Sequence, residues 1–244
     1  NPYRNDMNMT DEEYRRVYKD MVEAVDQGVK EIYDTLKELG ILENTMIIYT
    51  TDNGGEAIAA QKFPGNNGYF RGAKGSVYEG GISVPAIFYY PTGWGHRMCA
   101  EPLVSMDFMP TILDFCGVIN DRKVDGVSCI PLLRAGTPMP ERPLFFAVNG
   151  GMAMLDANWK LVWTRSRQGG EEKLELFNFM NDRKEEHDVS ALYPERVKKM
   201  KKDIEDWWKD CTKGTKLEGK NGFNSGWRSE VTQEQIEAFQ RSMM

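Results

Sequence analysis

The stretch MIIYTTDNGG, residues 46–55, joins a short apolar run to a turn of polar residues and glycines. The apolar part is rich in β-favouring residues and too short for a helix, which predicts a buried strand of a parallel sheet over 46–50. A long amphipathic helix is predicted before it, because Thr10 and Glu13 have the spacing of a capping box and apolar residues recur at helical intervals until Gly40. Helix, turn and strand together indicate an α/β fold.

The turn that follows the strand is a candidate metal site. Open α/β sheets bind ligands beyond the carboxyl ends of their strands, and this turn lies at such an end. Asp52 and Asn53 offer one charged and one neutral oxygen, which suits a hard cation such as Ca²⁺ or Mg²⁺. The alternative is an Asx turn, in which both side chains accept hydrogen bonds from nearby backbone amides. The spacing alone leaves both interpretations open.

A second glycine-rich segment follows and contains one lysine of interest. Residues 63–68 combine Pro, Gly and Asn, which predicts a loop. Lys74 lies between Gly72 and Gly75, where its ammonium group could act as a point cation for an anionic substrate oxygen. The alternative is a solvated surface charge without a function.

The composition limits the classes of function. The 244 residues are 41% hydrophobic and carry a net charge of -6, so the chain can bury a core and lacks the surplus of Lys and Arg that nucleic-acid binding requires. No apolar run approaches about 18 residues, so no membrane span is predicted. The sequon at Asn8 predicts glycosylation, and four cysteines without metal-binding spacing favour an oxidising compartment. Because the chain begins with Asn1, we expect a processed or partial product.

Four motifs occur in an order and with a spacing that resemble the sulfatases, especially the arylsulfatase B-like, N-acetylgalactosamine-4-sulfatase-type branch. They are TTDNGG, NNGYFRGAKGSVYEGGISVP, VSMDFMPTILDFCG and DGVSCIPLLRAG. The resemblance covers most of residues 11–190 and implies the α/β, alkaline-phosphatase-like sulfatase fold. It implies that residues 1–138 are the C-terminal part of the large α/β domain. Residues 139–244 would then form a small α+β domain, an antiparallel sheet with one helix, and a tail.

The resemblance assigns functional roles to three residues. Asp52 and Asn53 match the pair that helps to bind the active-site divalent cation, Ca²⁺ more often than Mg²⁺. Lys74 matches the lysine that contacts the sulfate group of the substrate. The implied reaction is the hydrolysis of sulfate esters, with sulfated N-acetylgalactosamine of glycosaminoglycans as the implied substrate class. A secreted or lysosomal location follows from the same resemblance.

Other matched residues are interpreted as structural. Arg71 and Glu79 lie in the loop that shapes the family's pocket, and a buried salt bridge or hydrogen bond explains both. Asp107 is interpreted as the cap of a helix start. Cys211 lies in the polar tail, and the resemblance implies a disulfide from it to the N-terminal half of the family's fold. A short helix is predicted over 232–243.

The family's catalytic nucleophile does not occur in the chain. Family members carry a formylglycine made from Cys or Ser in a Cys-x-Pro-x-Arg motif, and its hydrated aldehyde attacks sulfur. Cys129 to Arg134 is the nearest match, but its Arg lies one residue too far along, so Cys129 is interpreted as a structural thiol. His96 and His187 stand in no matching context and are interpreted as surface or packing residues. The resemblance therefore implies no catalytic residue here, and a missing N-terminal half as partner and source of the formylglycine.

Two further interpretations stay open beside a divided sulfatase. The chain could be a noncatalytic, sulfatase-derived protein that is structural or binds glycans, because every early catalytic residue of the family is absent. It could also be a phosphatase or phosphodiesterase of the wider alkaline-phosphatase-like superfamily. Asn53 disfavours this last interpretation, because those relatives usually place Asp-His there to bind zinc.

Overall fold

The computed structural model describes most of the chain, in the ranges 10–56, 66–148, 150–165, 171–215 and 217–218. Asn8, with its predicted glycosylation, and the helix predicted over 232–243 lie outside the described residues. The helices and strands, in chain order, are α1 (Asp11–Glu38), β1 (Ile47–Thr50), α2 (Glu79–Ile82), β2 (Ala86–Tyr89), α3 (Phe108–Phe115), α4 (Ile130–Ala135), β3 (Leu144–Val148), β4 (Gly151–Asp156), β5 (Trp159–Arg165), β6 (Glu172–Asn178) and α5 (Pro194–Thr212). No helix within these ranges is both long and apolar enough to cross a membrane.

The described residues form two units, and the division does not follow the chain order. The second unit contains Asn67–Ile82 together with the described residues from Pro143 onward, and the first contains the residues before Asn67 and Ser83–Arg142. The later division falls between Arg142 and Pro143, and the domain boundary after residue 138 stays a prediction. The sequence had placed Asn67–Ile82 in the large domain, whereas its side chains pack on the sheet of the second unit.

The long helix α1 is capped as the sequence predicts. The Thr10 hydroxyl accepts a hydrogen bond from the Glu13 backbone N–H at 3.3 Å, and the Glu13 carboxylate accepts one from the Thr10 backbone N–H at 2.7 Å. This reciprocal pair satisfies amides that the first turn of a helix leaves without partners. No residue of α1 is buried. The apolar side chains that remain exposed along it include Tyr18, Met21, Val22, Val25 and Ile32.

The strand after α1 differs from the prediction in its partner and in its burial. β1 pairs with β2 in an antiparallel register that sets Ile47 opposite Tyr89 and Thr50 opposite Ala86. Its residues are half-buried or exposed. The buried parallel strand predicted over 46–50 is therefore wrong for the described part of the chain. The apolar run predicted the strand itself, but an apolar run carries no information on the direction of the neighbouring strand.

The second unit is an antiparallel sheet in the order β3-β4-β5-β6 with a different cover on each face. Successive side chains of a strand point to opposite faces. Leu161 accordingly lies in one apolar cluster with Ile204 of α5, while its neighbour Val162 lies in another with Val77. The sheet and its single packed helix agree with the predicted small α+β domain. The second cover, formed by the segment that contains Val77, was not predicted.

Candidate active site

The turn after β1 presents two oxygen-bearing side chains with few partners. The Asp52 carboxylate is exposed and accepts a hydrogen bond from the Thr51 hydroxyl at 3.4 Å. The Asn53 Oδ1 atom is buried and has no hydrogen-bond partner in the described part of the chain. Between described residues, no backbone N–H donates to either side chain, so the Asx turn is not formed there.

These two side chains fit a hard cation as part of its ligand set. A buried acceptor without a partner costs about 1–3 kcal/mol, so Asn53 Oδ1 gains from any ligand that reaches it. A calcium ion prefers about six to eight oxygen ligands, more than this pair can give. Within the described ranges, no group of three or more His, Cys, Asp or Glu side chains could complete such a site. Asp52 and Asn53 can therefore supply one edge of a calcium site.

Lys74 lies at the tip of a tight turn in the second unit. The Ala73 carbonyl accepts a hydrogen bond from the Ser76 backbone N–H at 2.9 Å, and the Ser76 hydroxyl accepts one from the Ala73 backbone N–H at 3.2 Å. Gly75 has a φ of 84°, which suits the third residue of a type II turn. The Lys74 side chain is exposed and has no hydrogen bond or ion pair in the described part of the chain. Its ammonium group is thus available to an anion.

Arg71 anchors the start of this segment to the sheet. Its guanidinium donates to Glu175 Oε1 at 3.1 Å and to the Glu185 carbonyl at 2.9 Å, and it stacks on the Tyr78 ring at 4.1 Å. Tyr78 in turn donates a short hydrogen bond to the Glu175 carboxylate. Burial alone would raise the pKa of Glu175, but hydrogen bonds from Tyr78 and Lys173 and the Arg71 charge outweigh burial and lower that pKa. These contacts support the structural role predicted for Arg71.

Glu79 anchors the end of the segment in a buried cluster of charges. The Lys160 Nζ atom, in a side chain with 0% exposure, lies 2.7 Å from Glu79 Oε1 and 2.7 Å from Glu185 Oε1. The other oxygen of Glu185 accepts a hydrogen bond from the Glu79 backbone N–H at 2.8 Å. Arg183 lies 3.8 Å from Glu79 Oε2, so two carboxylates face two cations. We call Glu79, Lys160, Arg183 and Glu185 the buried ion cluster.

The buried ion cluster affects the protonation of its members. Burial raises the pKa of Glu185, and the Lys160 charge opposes that rise. Removal of one partner from such a cluster leaves an uncompensated buried charge, which costs about 3–5 kcal/mol. The structural role predicted for Glu79 therefore agrees with its surroundings.

Two residues of the first unit have structural roles that differ in part from the prediction. Asp107 does not cap α3 with its side chain, so the predicted cap is wrong. Its carboxylate is buried, forms an ion pair with Arg142, and accepts hydrogen bonds from the backbone N–H groups of Val104 at 3.0 Å and Val127 at 2.9 Å. Cys129 is buried beside Thr111, and burial raises the pKa of its thiol. A buried neutral thiol agrees with the structural role predicted for Cys129.

The remaining candidates lie at the surface. The side chains of His96 and His187 are exposed, and His187 Nδ1 lies 3.7 Å from Asp182 Oδ2. Cys211 is exposed and not in a disulfide within the described ranges. Its predicted bridge to another part of the fold stays a prediction.

Sequence analysis missed the residues that hold the lysine turn. Lys160, Glu175 and Glu185 were not singled out, although Lys160 interrupts the otherwise apolar stretch WKLVW of β5. A lysine at an inward position of a buried strand requires a buried carboxylate partner, and this signal was available. Which carboxylate would meet it could not be read from the sequence, because Glu79 is 81 positions away.

Comparisons with known proteins bear on the family of the chain. Residues 1–118 match the family model described as Sulfatase. N-acetylgalactosamine-6-sulfatase of Rattus norvegicus is 34% identical over 163 residues, which cover 62% of this chain and 31% of that protein. Steryl-sulfatase of Mus musculus is 35% identical over 136 residues, which cover 53% of this chain and 22% of that protein. Over about half of its length the chain is therefore similar to the sulfatases, and the relatives named here are sulfuric ester hydrolases.

A solved structure extends the likeness to nearly the whole chain. The crystal structure of Ps i-CgsB matches with a TM-score of 0.68 at 26% identity, over 96% of this chain and 51% of that one. The same protein has been solved in complex with k-i-k-neocarrahexaose. The fold is thus the alkaline-phosphatase-like sulfatase fold. The chain spans about half the length of Ps i-CgsB and under a third of either curated relative.

Proposed function

We propose that this chain supplies the sulfate-contacting lysine and two metal ligands of a sulfatase that hydrolyses sulfate esters of glycans. The observation that carries the proposal is the contrast between free and paired polar groups. Lys74 and the Asn53 Oδ1 atom have no partner in the described ranges, whereas the charged residues Arg71 and Glu79 near Lys74 are paired. Groups held unpaired on a fixed turn are suited to receive a ligand.

The metal in this proposal is Ca²⁺, and Mg²⁺ is the second choice. Asp52 and Asn53 would hold one edge of the ion, because a carboxylate and a buried amide oxygen are ligands that a hard cation prefers. A bound divalent cation offsets the negative charge of a sulfate oxygen and so favours attack at sulfur. The chain's own contribution is to keep the Asn53 oxygen without a partner in the described ranges, to leave the Asp52 carboxylate exposed, and to present the Lys74 ammonium to the sulfate group.

The nucleophile, a formylglycine, would come from an N-terminal half of the same sulfatase. Helix α1 supports such a partner, because its apolar stripe is uncovered: Val25 is 52% exposed and Ile32 is 58% exposed. Contiguous exposed apolar side chains mark surfaces that another protein part covers. The length of Ps i-CgsB is about twice the matched part, which leaves a comparable amount of that chain to cover this stripe.

The substrate class is a sulfated saccharide. One relative is named N-acetylgalactosamine-6-sulfatase, and Ps i-CgsB has been solved with an oligosaccharide. The motifs of the chain resemble the N-acetylgalactosamine-4-sulfatase-type branch, so sulfated N-acetylgalactosamine of a glycosaminoglycan is the first substrate to test. A secreted or lysosomal location, with glycosylation at Asn8 and a disulfide through Cys211, belongs to the same proposal.

The test is to produce the chain together with an upstream polypeptide that contains a Cys-x-Pro-x-Arg element and to measure hydrolysis of a chromogenic aryl sulfate. We expect turnover that depends on Ca²⁺ and on both polypeptides. Asp52→Ala should abolish the Ca²⁺-dependent turnover while leaving a folded complex, and Lys74→Ala should lower kcat/KM about 100-fold, as the loss of one charge-stabilising donor does. Asp121→Ala and Lys209→Ala remove exposed charges elsewhere and should leave turnover unchanged.

Two results would contradict this proposal. Turnover by the isolated chain would show that the nucleophile is not on a separate part, and full Ca²⁺-dependent activity of Asp52→Ala would show that the metal lies elsewhere. An assembled protein that binds sulfated glycans but hydrolyses none, with no Ca²⁺ bound, would favour the noncatalytic interpretation.

A further inference from the structure

The segment Asn67–Ile82, which we call the lysine segment, is attached to the sheet of the second unit on both sides of Lys74. On the N-terminal side Arg71 binds Glu175 at 3.1 Å. On the C-terminal side Val77, 1% exposed, packs into the apolar cluster of the sheet, and Glu79 joins the buried ion cluster. The turn that carries Lys74 therefore lies between two fixed points.

We propose that the buried ion cluster is a positioning device for Lys74, and that Lys160 and Glu185 act on sulfate binding through Lys74 without touching the substrate. The proposal rests on the proposed function in one respect, the contact between Lys74 and sulfate. It goes beyond that function by assigning a role in substrate binding to residues of the small sheet.

The backbone of the lysine segment couples the position of Glu79 to the position of the turn that carries Lys74. The Gly80 backbone N–H donates to the Arg71 carbonyl at 2.7 Å, which closes residues 71–80 into one loop. A Cβ atom on Gly80 would lie 2.3 Å from the Gly72 carbonyl oxygen. The backbone at the start of the loop is therefore in contact with the backbone at its end, and a side chain on Gly80 would not fit between them. Gly72 is two residues from Lys74. A shift of Glu79 therefore moves the backbone that bears the lysine.

The charged residues fix the lysine segment in one position on the sheet. An apolar contact such as that of Val77 is non-directional and tolerates sliding. Lys160 instead donates a directional hydrogen bond to Glu79 Oε1 at 2.7 Å and forms an ion pair with Glu185 Oε1 at 2.7 Å, and the Glu79 backbone N–H donates to the other oxygen of Glu185. Without Lys160, Glu79 and Glu185 lose the cation that lies between them, and the hydrogen bond and ion pair that hold the loop on the sheet are lost.

The first test measures amide hydrogen exchange in the full chain and needs no activity. Lys160→Met lowers the stability of the whole unit and so accelerates exchange in β4 and β5 as well, but exchange at residues 72–76 should be accelerated by about tenfold or more beyond that of β4 and β5. Lys199→Met, which removes a lysine from an exposed pair on α5, should change neither. Unchanged exchange at 72–76, or equal acceleration throughout the sheet, would overturn the proposal.

A second variant covers the case in which Lys160→Met does not fold. The triple variant Glu79→Gln, Lys160→Met and Glu185→Gln removes the three central charges together. It therefore leaves no buried carboxylate without a cation, which is what destabilises Lys160→Met. The same acceleration at 72–76 is expected in it. Protection at wild-type levels would show that the charges do not hold the turn.

The third test is a double-mutant cycle on the active, assembled sulfatase with an aryl sulfate. Lys160→Met should raise KM and lower kcat/KM about tenfold, and it should have no further effect in a Lys74→Ala background, because both changes remove the same interaction. Equal effects of Lys160→Met in both backgrounds would overturn the positioning role. If Lys74→Ala alone changes nothing, the sulfate contact of the proposed function is wrong, and the exchange experiment still decides whether the cluster holds the turn.

Discussion

Helices α1 and α5 have the same kind of sequence but different surroundings. Both repeat apolar residues at helical intervals, and both carry exposed ion pairs four residues apart. α5 buries Met200 and Ile204 against the sheet, whereas no residue of α1 is buried. An amphipathic pattern therefore predicts that a face will be covered, but it does not identify the part of the protein that covers that face.

The largest expected effect on stability comes from truncating a buried side chain of α5. Ile204→Ala should lower the free energy of unfolding of the second unit by about 2–5 kcal/mol, because Ile204 is 0% exposed and its loss leaves a cavity. Val25→Ala on α1 should change stability by less than about 0.5 kcal/mol. Urea unfolding followed by tryptophan fluorescence measures the first change, and circular dichroism measures the second.

If the two substitutions lower the free energy of unfolding of the isolated chain equally, the two helices do not differ in packing. In the presence of the proposed N-terminal half, Val25→Ala should become costly, since its side chain would then be buried. A Val25 variant that associates with that half as well as the unaltered chain does would place the covered surface elsewhere.

The next effect concerns local stabilisation of α1. A helix with no buried residue depends largely on its own caps and side-chain pairs, so Thr10→Ala should cost about 1 kcal/mol and fray the first turns. Amide exchange should rise at residues 11–16 and stay unchanged near Glu38. α5 has no side-chain cap at Tyr193 and relies on packing, so its first turn offers the comparison.

An acid titration should affect the unit that contains α5. The pKa of Glu175 is lowered in the folded chain, so Glu175 stabilises the fold above the ordinary carboxyl pKa, and this contribution is lost as the pH falls through the lowered value. Unfolding of the unaltered chain should therefore become easier below about pH 4.5. Glu175→Gln should be less stable at neutral pH and less sensitive to acid. Parallel pH profiles of the two proteins would contradict the assignment.

The smallest effect is that of salt on the exposed pairs. Lys30–Asp34 on α1 and Lys199–Asp203 on α5 are exposed, and ion pairs at the surface contribute little to stability. Raising the salt concentration to 1 M shortens the screening length to about 3 Å and should reduce the helicity of α1 slightly. The packed helix α5 should not respond. A loss of helicity confined to α5 would reverse the expected order.

Sequence reasoning predicted local features well. The capping box at Thr10 and the helix that ends before Gly40 depend on residues a few positions apart, and both occur as predicted. The strand over 46–50 was also predicted, but its antiparallel partner β2 was not, because pairing is set by residues far along the chain.

The same limit applies to the candidate site. Asp52, Asn53 and Lys74 could be proposed because motifs place them in turns that local rules describe. Lys160 and Glu185 could not be predicted in this way, because their role depends on contacts with Glu79, which is far from both in the chain. Asp107 shows the converse error, since a local capping rule was applied to a carboxylate whose partner, Arg142, lies 35 positions away.

The second unit is assembled from two parts of the chain that are synthesised at different times. Arg71 and Glu175 are 104 positions apart in the chain, so the lysine segment leaves the ribosome long before the strand that anchors it. At about 5 to 20 residues per second, the segment waits on the order of 5 to 20 s. For most of that interval Val77 and Glu79 have no sheet to pack on, because Ser83–Arg142 is synthesised before the first strand of the second unit. We expect the segment that contains Lys74 to reach its final place only after β6 has been made, and a nascent chain stopped before β6 to leave it open to proteases.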